Sequence, residues 1–284
     1  MRVIEVQKFG GPEVLQLVER PERGAAEGEV LVRIRASAVN PVDRAIRAGR
    51  FPQLTAPLVL GWDFAGTTED GRSVVGMVPW FVAQRGTNAD FVAVQRDWFV
   101  PLPDGLDPVA AATVPLNAQT AKQALDLLGV QAGQTLLVTG AGGAVGGFAV
   151  QLAAEAGVHV TAMSAEADYV SSLGAKAVIG RGDVHGEFDA VLDAGVAGPE
   201  LITAVRDGGA FAGVNAMAKP EPVRDIRVEA VQVKPSLDDL DALVTAYANG
   251  RLRTRLAAAI PAEQAVEAHI RADAGVRGKL VLTF

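Results

Sequence analysis

Apolar and polar residues alternate with a period of two along the first part of the chain, residues 1–110. The clearest stretch is 28–39, where Val30, Val32 and Ile34 share one face, as expected of a half-buried strand. Further short strands, separated by glycine and proline, are predicted at 63–68, 72–79 and 91–94. This pattern is typical of a small antiparallel barrel.

Capping residues mark where helices begin. Asn40 precedes Pro41, and Asp107 precedes Pro108, which in each case predicts an N-cap followed by proline at the first helical position. We expect Asn117 to cap a longer helix that reaches Leu128.

The pattern changes after Gly133, where short apolar strands alternate with helical segments. This alternation predicts a parallel, doubly wound sheet. Strands are expected at 135–139, 158–163, 177–179, 188–192 and 210–214, then a helix at 236–248 and a last strand at 279–283.

A glycine-rich turn follows the strand at 135–139. Gly140, Gly143 and Gly146 are spaced three apart, and a small-residue helix comes next. Such a turn lets backbone N–H groups approach a diphosphate at a helix N-terminus, where the helix dipole favours anions. The spacing differs from the common G-x-G-x-x-G, but the strand before and the helix after predict dinucleotide binding.

Composition excludes several classes of protein. The 284 residues are 49% hydrophobic, include no cysteine and carry a net charge of −7. The missing cysteines rule out disulfides, a thiolate nucleophile and cysteine-built metal sites. The sequence has no basic cluster of the kind that binds nucleic acid. It also has no apolar run that suggests a membrane span or a signal segment. We therefore expect a cytoplasmic protein.

Several motifs together resemble those of one enzyme family. The chain is similar to the zinc-independent quinone oxidoreductase branch of the medium-chain dehydrogenases/reductases, which uses this G-x-x-G-x-x-G spacing. The motifs are NPVDRAIRAG (40–49), PLVLGWDFAG (57–66), FVPLPDGLDPVAAATV (99–114), VTGAGGAVGGFAVQLA (138–153), SLGAKAVI (172–179), FDAVLDA (188–194) and GKLVL (278–282).

The resemblance implies an α/β protein of two domains with the active site in the cleft between them. A GroES-like antiparallel β-barrel substrate domain would span residues 1–115 and be completed by 250–284. A Rossmann domain with a doubly wound parallel sheet would span 116–249 and bind the dinucleotide. Relatives of this kind suggest a homodimer, formed through the sheet edge at 210–214 and the segment after it.

Metal ligands are scarce. Catalytic zinc needs His, Cys or carboxylate ligands that converge on one point. The histidines are His159, His185 and His269, all outside the first 113 residues. Zinc-dependent relatives carry Gly-His-Glu where this chain has Gly61, Trp62 and Asp63. We therefore expect no metal.

The resemblance also implies a cofactor site. Ser164 matches a contact to the 2′-phosphate of NADPH, and Arg181 could bind that phosphate, although it could equally be a solvated loop charge. No carboxylate stands at the end of the second strand before Glu166, which favours NADPH over NADH. The other cofactor-binding candidates are Thr120, Gly140, Gly142, Gly143, Ala144, Val145, Gly146, Gly213, Val214 and Asn215.

Four residues are candidates for the chemistry and the substrate pocket. Asn40 matches a family residue near the nicotinamide that could donate to a substrate carbonyl, and Asp43 is either a catalytic group or a partner of the first helical turn. Phe51, which replaces a common tyrosine, and Trp62 are expected in the substrate pocket. Lys279 could line the cleft, but a solvated lysine is the expectation.

The predicted function is NADPH-dependent hydride transfer to quinones or α,β-unsaturated carbonyls, both small-molecule substrates. Positioning carries most of this catalysis, so no nucleophile is needed. Two alternatives stay open, an enoyl-thioester reductase of the same superfamily and a non-catalytic NADPH-binding protein with a regulatory or structural role. A short-chain dehydrogenase is disfavoured because neither Tyr169 nor Tyr247 is followed four residues later by lysine.

Overall fold

Strands are distributed along the whole length of the chain. The computed structural model describes residues 1–22 and 24–284. In chain order the strands are β1 (Arg2–Val6), β2 (Leu15–Glu19), β3 (Glu29–Ala38), β4 (Leu58–Val59), β5 (Asp63–Thr68), β6 (Ser73–Met77), β7 (Phe91–Gln95), β8 (Phe99–Pro101), β9 (Thr135–Thr139), β10 (His159–Met163), β11 (Ala177–Ile179), β12 (Phe188–Asp193), β13 (Val205–Gly213), β14 (Arg227–Ala230), β15 (Leu256–Pro261) and β16 (Lys279–Thr283).

Helices separate many of these strands. They are α1 (Pro41–Arg47), α2 (Trp80–Ala83), α3 (Pro108–Ala111), α4 (Pro115–Leu128), α5 (Ala144–Glu155), α6 (Ala167–Ser172), α7 (Leu237–Ala248) and α8 (Ala265–Asp273). The predicted caps at Asn40 and Asp107 lie where α1 and α3 begin. The predicted cap at Asn117 is wrong, because α4 already begins at Pro115 and Asn117 lies inside its first turn.

The first of two compact units comprises residues 1–116 and 234–284. Its larger sheet has the order β15-β16-β3-β5-β6-β8, with β7 also paired to β3, and a smaller sheet has the order β2-β1-β4. The larger sheet is mixed, not purely antiparallel as expected, because β15 and β16 run parallel. The connection through α8 returns the chain to the same end, which parallel pairing requires.

The second unit comprises residues 117–233. Its sheet has the order β11-β10-β9-β12-β13-β14, and every pair in it is parallel. The strand order reverses beside β9, which makes the carboxyl ends of β9 and β12 the place where such folds bind ligands. Leu136, Leu137 and Val138 are fully buried, as expected of a strand covered on both faces.

The start of the second segment of the first unit and the edge strand of the parallel sheet differ from the sequence predictions. Residues 234–249 belong to the first unit, because α7 packs against β8 there. In the second unit β14 pairs with β13, so residues 210–213 lie inside the sheet and β14 is its edge strand. The homodimer therefore stays a prediction whose contact, if it uses this sheet edge, involves β14.

Within residues 1–22 and 24–284, no helix is both long and apolar enough to cross a bilayer.

Candidate functional site

The glycine turn, residues Gly140–Gly146, connects β9 to α5 by close backbone packing. Gly140 has a φ of +58°, and a Cβ there would lie 2.7 Å from the Cα of Gly195. A Cβ on Gly146 would lie 2.4 Å from the carbonyl oxygen of Gly140. Since real side chains do not approach this closely, these positions require glycine.

Helix α5 offers backbone donors at this turn. Its N-cap is Gly143, which has no side chain to accept from the first-turn N–H groups. Those N–H groups, on Ala144, Val145 and Gly146, have no intrahelical partner by the geometry of a helix start. A diphosphate fits such an N-terminus, because its oxygens accept these bonds and its charge complements the helix dipole.

A buried aspartate supports the turn from the neighbouring strand. Asp193, at the end of β12, accepts a 2.5 Å hydrogen bond from the Thr139 hydroxyl and a 2.9 Å bond from the Ala197 N–H. The Thr139 oxygen also accepts from the N–H of Gly195 at 3.0 Å. These bonds fix the loop that packs against Gly140. This role of Asp193 was not predicted, because the sequence pattern identifies this residue only as the end of a strand.

Ser164 and Glu166 lie beside the turn, just beyond β10. The Ser164 oxygen accepts from the Glu166 N–H at 3.0 Å. A Cβ built on Gly142 would lie 3.0 Å from the Glu166 carboxylate and 3.1 Å from the Ser164 hydroxyl oxygen. The carboxylate of Glu166, although two residues later in the sequence, therefore lies close to Ser164.

Arg181 follows the neighbouring strand, β11. Its guanidinium is exposed and donates to the Ala197 carbonyl at 3.1 Å. Together with Met163 and Leu201 it lines a cavity of about 270 Å³. The Ser164 N–H donates to the carbonyl of Ile179, two residues before Arg181, so the ends of β10 and β11 are adjacent.

The remaining cofactor candidates lie on α4 and at the end of β13. Thr120 is buried on α4. Gly213 ends β13, and the Val214 N–H donates to the Asp193 carbonyl at 3.3 Å. The Asn215 side chain accepts from the Met217 N–H at 3.1 Å, which caps a short 3-10 turn.

In the first unit, Asn40 is held by side chains from other elements. Its Nδ2 donates to Asp63 at 2.7 Å and to the Ala38 carbonyl at 3.2 Å. Its Oδ1 accepts from Lys279 at 2.5 Å. Both hydrogens of this amide therefore have partners within the chain, and a donor role toward a substrate requires one of them to be released.

Two buried carboxylates flank this amide. Asp43 accepts from the N–H groups of Asn40 at 2.8 Å and Gly61 at 3.0 Å, while Asp63 accepts from the Leu116 N–H at 2.6 Å. Burial raises the pKa of Asp43 to about 7, opposed by its backbone hydrogen bonds. Burial likewise raises the pKa of Asp63 to about 6, opposed chiefly by the charge of Lys279.

Lys279 is buried, and the expectation of a solvated side chain is wrong. Besides Asn40, its Nζ donates to the Val39 carbonyl at 3.0 Å. Burial lowers its pKa, whereas the carboxylates of Asp63 and Asp43 oppose that change. Its position at the start of an otherwise apolar strand was the available signal. We call Asn40, Asp43, Asp63 and Lys279 the charged cluster.

An aromatic cluster of Phe51, Trp62, Trp80 and Phe81 lies in the same unit. Trp62 is 5% exposed, and its ring centroid is 5.4 Å from that of Phe81 and 6.5 Å from that of Trp80. The Phe51 and Phe81 centroids are 5.0 Å apart. The structure thus brings the two predicted pocket residues, Phe51 and Trp62, to one cluster, to which Trp80 and Phe81 were not assigned from the sequence.

Candidate metal ligands are dispersed over the described part of the chain. Among the described residues (1–22 and 24–284), no three or more His, Cys, Asp or Glu side chains form a group that could hold a metal. His269 is buried on α8, where its Nδ1 accepts from the Arg47 guanidinium at 3.1 Å. Burial, reinforced by the charge of Arg47, lowers the pKa of His269 to about 4.

Comparison with known proteins places the chain in a family. Residues 26–104 match the family described as "Alcohol dehydrogenase GroES-like domain", and residues 165–282 the family described as "Zinc-binding dehydrogenase". A dehydrogenase from Aspergillus niger, azaJ, is 34% identical over 75% of this chain and 72% of its own length. The chain belongs to the medium-chain dehydrogenase/reductase family.

Two further similarities concern members named for their activity. The NADPH-dependent alkenal/one oxidoreductase of Arabidopsis thaliana chloroplasts is 28% identical over 81% of this chain and 70% of its own length. The quinone oxidoreductase of Coxiella burnetii has a solved structure that matches 100% of this chain and 99% of its own, with a TM-score of 0.91 and 25% identity. The two-unit α/β architecture of the family, GroES-like and Rossmann-type, is the one expected from the sequence.

Proposed function

We propose that this protein is an NADPH-dependent reductase that transfers a hydride to quinones or α,β-unsaturated carbonyls. The glycine turn is the observation that carries this proposal, because its close backbone packing places the start of α5, with first-turn N–H groups that lack intrahelical partners, directly after β9, where a diphosphate can bind. When bound, the nicotinamide supplies the hydride. The chain's own residues bind and orient the two reactants.

Two residues support NADPH, and a third limits the preference. Ser164 and Arg181 follow adjacent strands and have the chemistry to bind a 2′-phosphate, the arginine bidentately. The relative from Arabidopsis named above is itself described as NADPH-dependent. The Glu166 carboxylate beside Ser164 repels a phosphate and suits ribose hydroxyls instead. We therefore expect only a modest preference for NADPH over NADH.

Zinc has no part in the proposed reaction. Trp62 stands at the position where the resemblance places a histidine ligand, and a tryptophan cannot replace it. We propose that positioning of a polarised acceptor, without a metal, is sufficient for the hydride transfer.

Steady-state oxidation of NADPH and NADH tests the activity against a panel of quinones, enones and an acrylyl thioester. Turnover of a quinone or enone, faster with NADPH, is the expected result. Turnover confined to the thioester would replace the proposal with an enoyl-thioester reductase. Cofactor binding by calorimetry without any turnover would instead favour a non-catalytic NADPH-binding protein.

The substitution Glu166→Gln tests the cofactor assignment separately. Removing one negative charge near the phosphate is expected to raise the NADPH/NADH ratio of kcat/KM about tenfold, the scale of one charged contact. Asp168→Asn, which removes an exposed carboxylate in the first turn of α6, is the matched control and should leave the ratio unchanged. An unchanged ratio in Glu166→Gln would contradict a 2′-phosphate beside Ser164, where the Glu166 charge would act on it.

A further inference from the structure

The indole N–H of Trp62 is a buried donor without an acceptor. Within the described residues, its Nε1 has no hydrogen-bond partner, although the side chain is 5% exposed. Trp80, in the same aromatic cluster, donates from its Nε1 to the Val59 carbonyl at 2.8 Å. Since buried donors are nearly always paired in folded proteins, the difference between the two indoles calls for an acceptor from outside the chain.

The rings around Trp62 define what that acceptor can be. Phe81 meets Trp62 and Trp80 edge to face and is tilted against Phe51, so the four rings form one apolar aromatic surface. Such surfaces bind planar aromatic molecules, and a single donor among them selects a ligand that carries one oxygen acceptor.

Phe81 connects this cluster to solvent. Its side chain is 40% exposed on α2, a helix of four residues that ends at Gln84 in the left-handed region with a φ of +49°. The next residue, Val82, is 83% exposed. Among the four side chains of the aromatic cluster, Phe81 is therefore the one that a ligand arriving from solvent meets first.

The charged cluster does not offer the same function. Both amide hydrogens of Asn40 already have partners at Asp63 and Ala38. Trp62 immediately precedes Asp63, so its unpaired donor lies one residue along the chain from that network. Trp62 therefore donates to a new oxygen at a lower energetic cost than Asn40 does, because no existing hydrogen bond has to break.

We propose that Phe51, Trp62, Trp80 and Phe81 form a subsite for planar aryl ketones and quinones, in which the Trp62 Nε1–H donates to the oxygen of the acceptor. This inference rests on the proposed reductase function and names the acceptor class within it. Trp62 is then a specificity-determining residue: it distinguishes an aryl acceptor with a carbonyl oxygen from one of the same shape without it.

Binding of two matched probes tests the subsite without any turnover. Methyl naphthyl ketone carries the oxygen, and isopropenylnaphthalene has the same shape with a methylene group in its place. Calorimetry is done on the full chain with NADP⁺ present, so that no hydride is available. In Trp62→Phe we expect about tenfold weaker binding of the ketone, the scale of one hydrogen bond, with the hydrocarbon unchanged.

Trp80→Phe is the matched control, since the indole that it removes already has its acceptor in Val59. It should alter binding of the two probes by equal factors. Equal effects on both probes in Trp62→Phe, or a selective loss of the ketone in Trp80→Phe, would overturn the assignment of the donor.

Nitrogen-15 labelling of the wild-type tryptophans gives a readout that needs no variant to fold. The chain has three tryptophans, hence three indole N–H signals. The Trp62 signal should shift downfield with the ketone and not with the hydrocarbon. An unmoved Trp62 signal under saturating ketone refutes the subsite, whether or not the enzyme reduces quinones. Absence of turnover in the reductase panel, by contrast, refutes the proposed function and leaves this binding result unaffected.

Discussion

The glycine turn and the charged cluster are built in opposite ways. The turn uses backbone alone: within seven consecutive residues, Gly140 and Gly146 let main-chain atoms approach where any Cβ would clash. The charged cluster uses side chains that come from distant parts of the sequence. Asn40 and Asp43 lie at the start of α1, Asp63 begins β5 and Lys279 begins β16.

This difference decides how each region responds to change. A steric requirement for glycine is local, so one added methyl group is enough to disturb the turn. Buried charges depend instead on the presence of all their partners, because each one is desolvated and only the others compensate for it. The charged cluster should therefore be the more sensitive region in stability, and the glycine turn the more sensitive in cofactor binding.

Loss of Lys279 tests this comparison with the largest expected effect. Lys279→Met leaves Asp63 and Asn40 without their cationic partner, and the free energy of unfolding should fall by about 3–5 kcal/mol. Urea unfolding followed by circular dichroism measures the change. Lys122→Met is the control: the Lys122–Asp126 pair is solvent-exposed, so its loss should cost less than about 1 kcal/mol. Equal stability of both variants would contradict a balance of charge in the cluster.

The pH dependence of stability tests the comparison at His269, which lies in the same unit as the charged cluster. The pKa of His269 is lowered to about 4 by burial and Arg47, from an ordinary value of 6.5. Between these values the unfolded state binds more protons than the folded state, so stability falls as the pH is lowered from 6.5 to 4. The total loss from this residue is about 3 kcal/mol, at 1.36 kcal/mol for each pKa unit.

A non-titrating variant isolates this effect. His269→Asn keeps an acceptor for Arg47 but cannot take up a proton, so its urea-unfolding free energy should lack this part of the pH dependence. The raised pKa values of Asp43 and Asp63 act in the opposite direction, because those groups bind protons more readily in the folded state. Both proteins share that contribution, and the difference between them reports His269. Identical pH profiles would show that His269 titrates normally.

The smallest stability effect is expected at the glycine turn. Gly146→Ala places a Cβ against the Gly140 carbonyl and should cost about 1–3 kcal/mol of stability. It should also weaken NADPH binding by at least about tenfold, because the N–H groups of α5 are displaced. Gly147→Ala is the control one residue later, where the nearest side-chain atom to a new Cβ is Leu173 Cδ1 at 3.4 Å. Normal cofactor affinity in Gly146→Ala would remove the turn from the cofactor site.

Much of the fold could be predicted wherever local signals were strong. The strands expected at 63–68, 135–139, 177–179 and 279–283 have the same bounds in the structure. Three of them are short runs rich in apolar residues with a glycine directly before or after the strand, at Gly140, Gly180 and Gly278. In contrast, β15 was not predicted, because its small residues give no regular alternation of buried and exposed positions.

The side chains of the candidate site were harder to predict. Lys279 was expected in solvent because lysine is usually there, and nothing close to it in sequence indicates two carboxylates. Asp63 follows Trp62 with no local sign that it accepts from Leu116, which is more than fifty residues away along the chain. Long-range hydrogen bonds of this kind have no period and no spacing in the sequence.

The sequence by itself therefore determined many of the strands and helices, the glycine turn and, through motifs, the family. These follow from local sterics and from the periodicity of apolar residues, which every short segment carries within itself. Only the tertiary structure decided which charges are buried together and that α7 joins the first unit. It alone also shows that, among the described residues, the Trp62 donor has no acceptor while the Trp80 donor has one. Each of these features depends on residues that are far apart in the chain. Burial changes the chemistry of a side chain only after folding has brought those residues into contact.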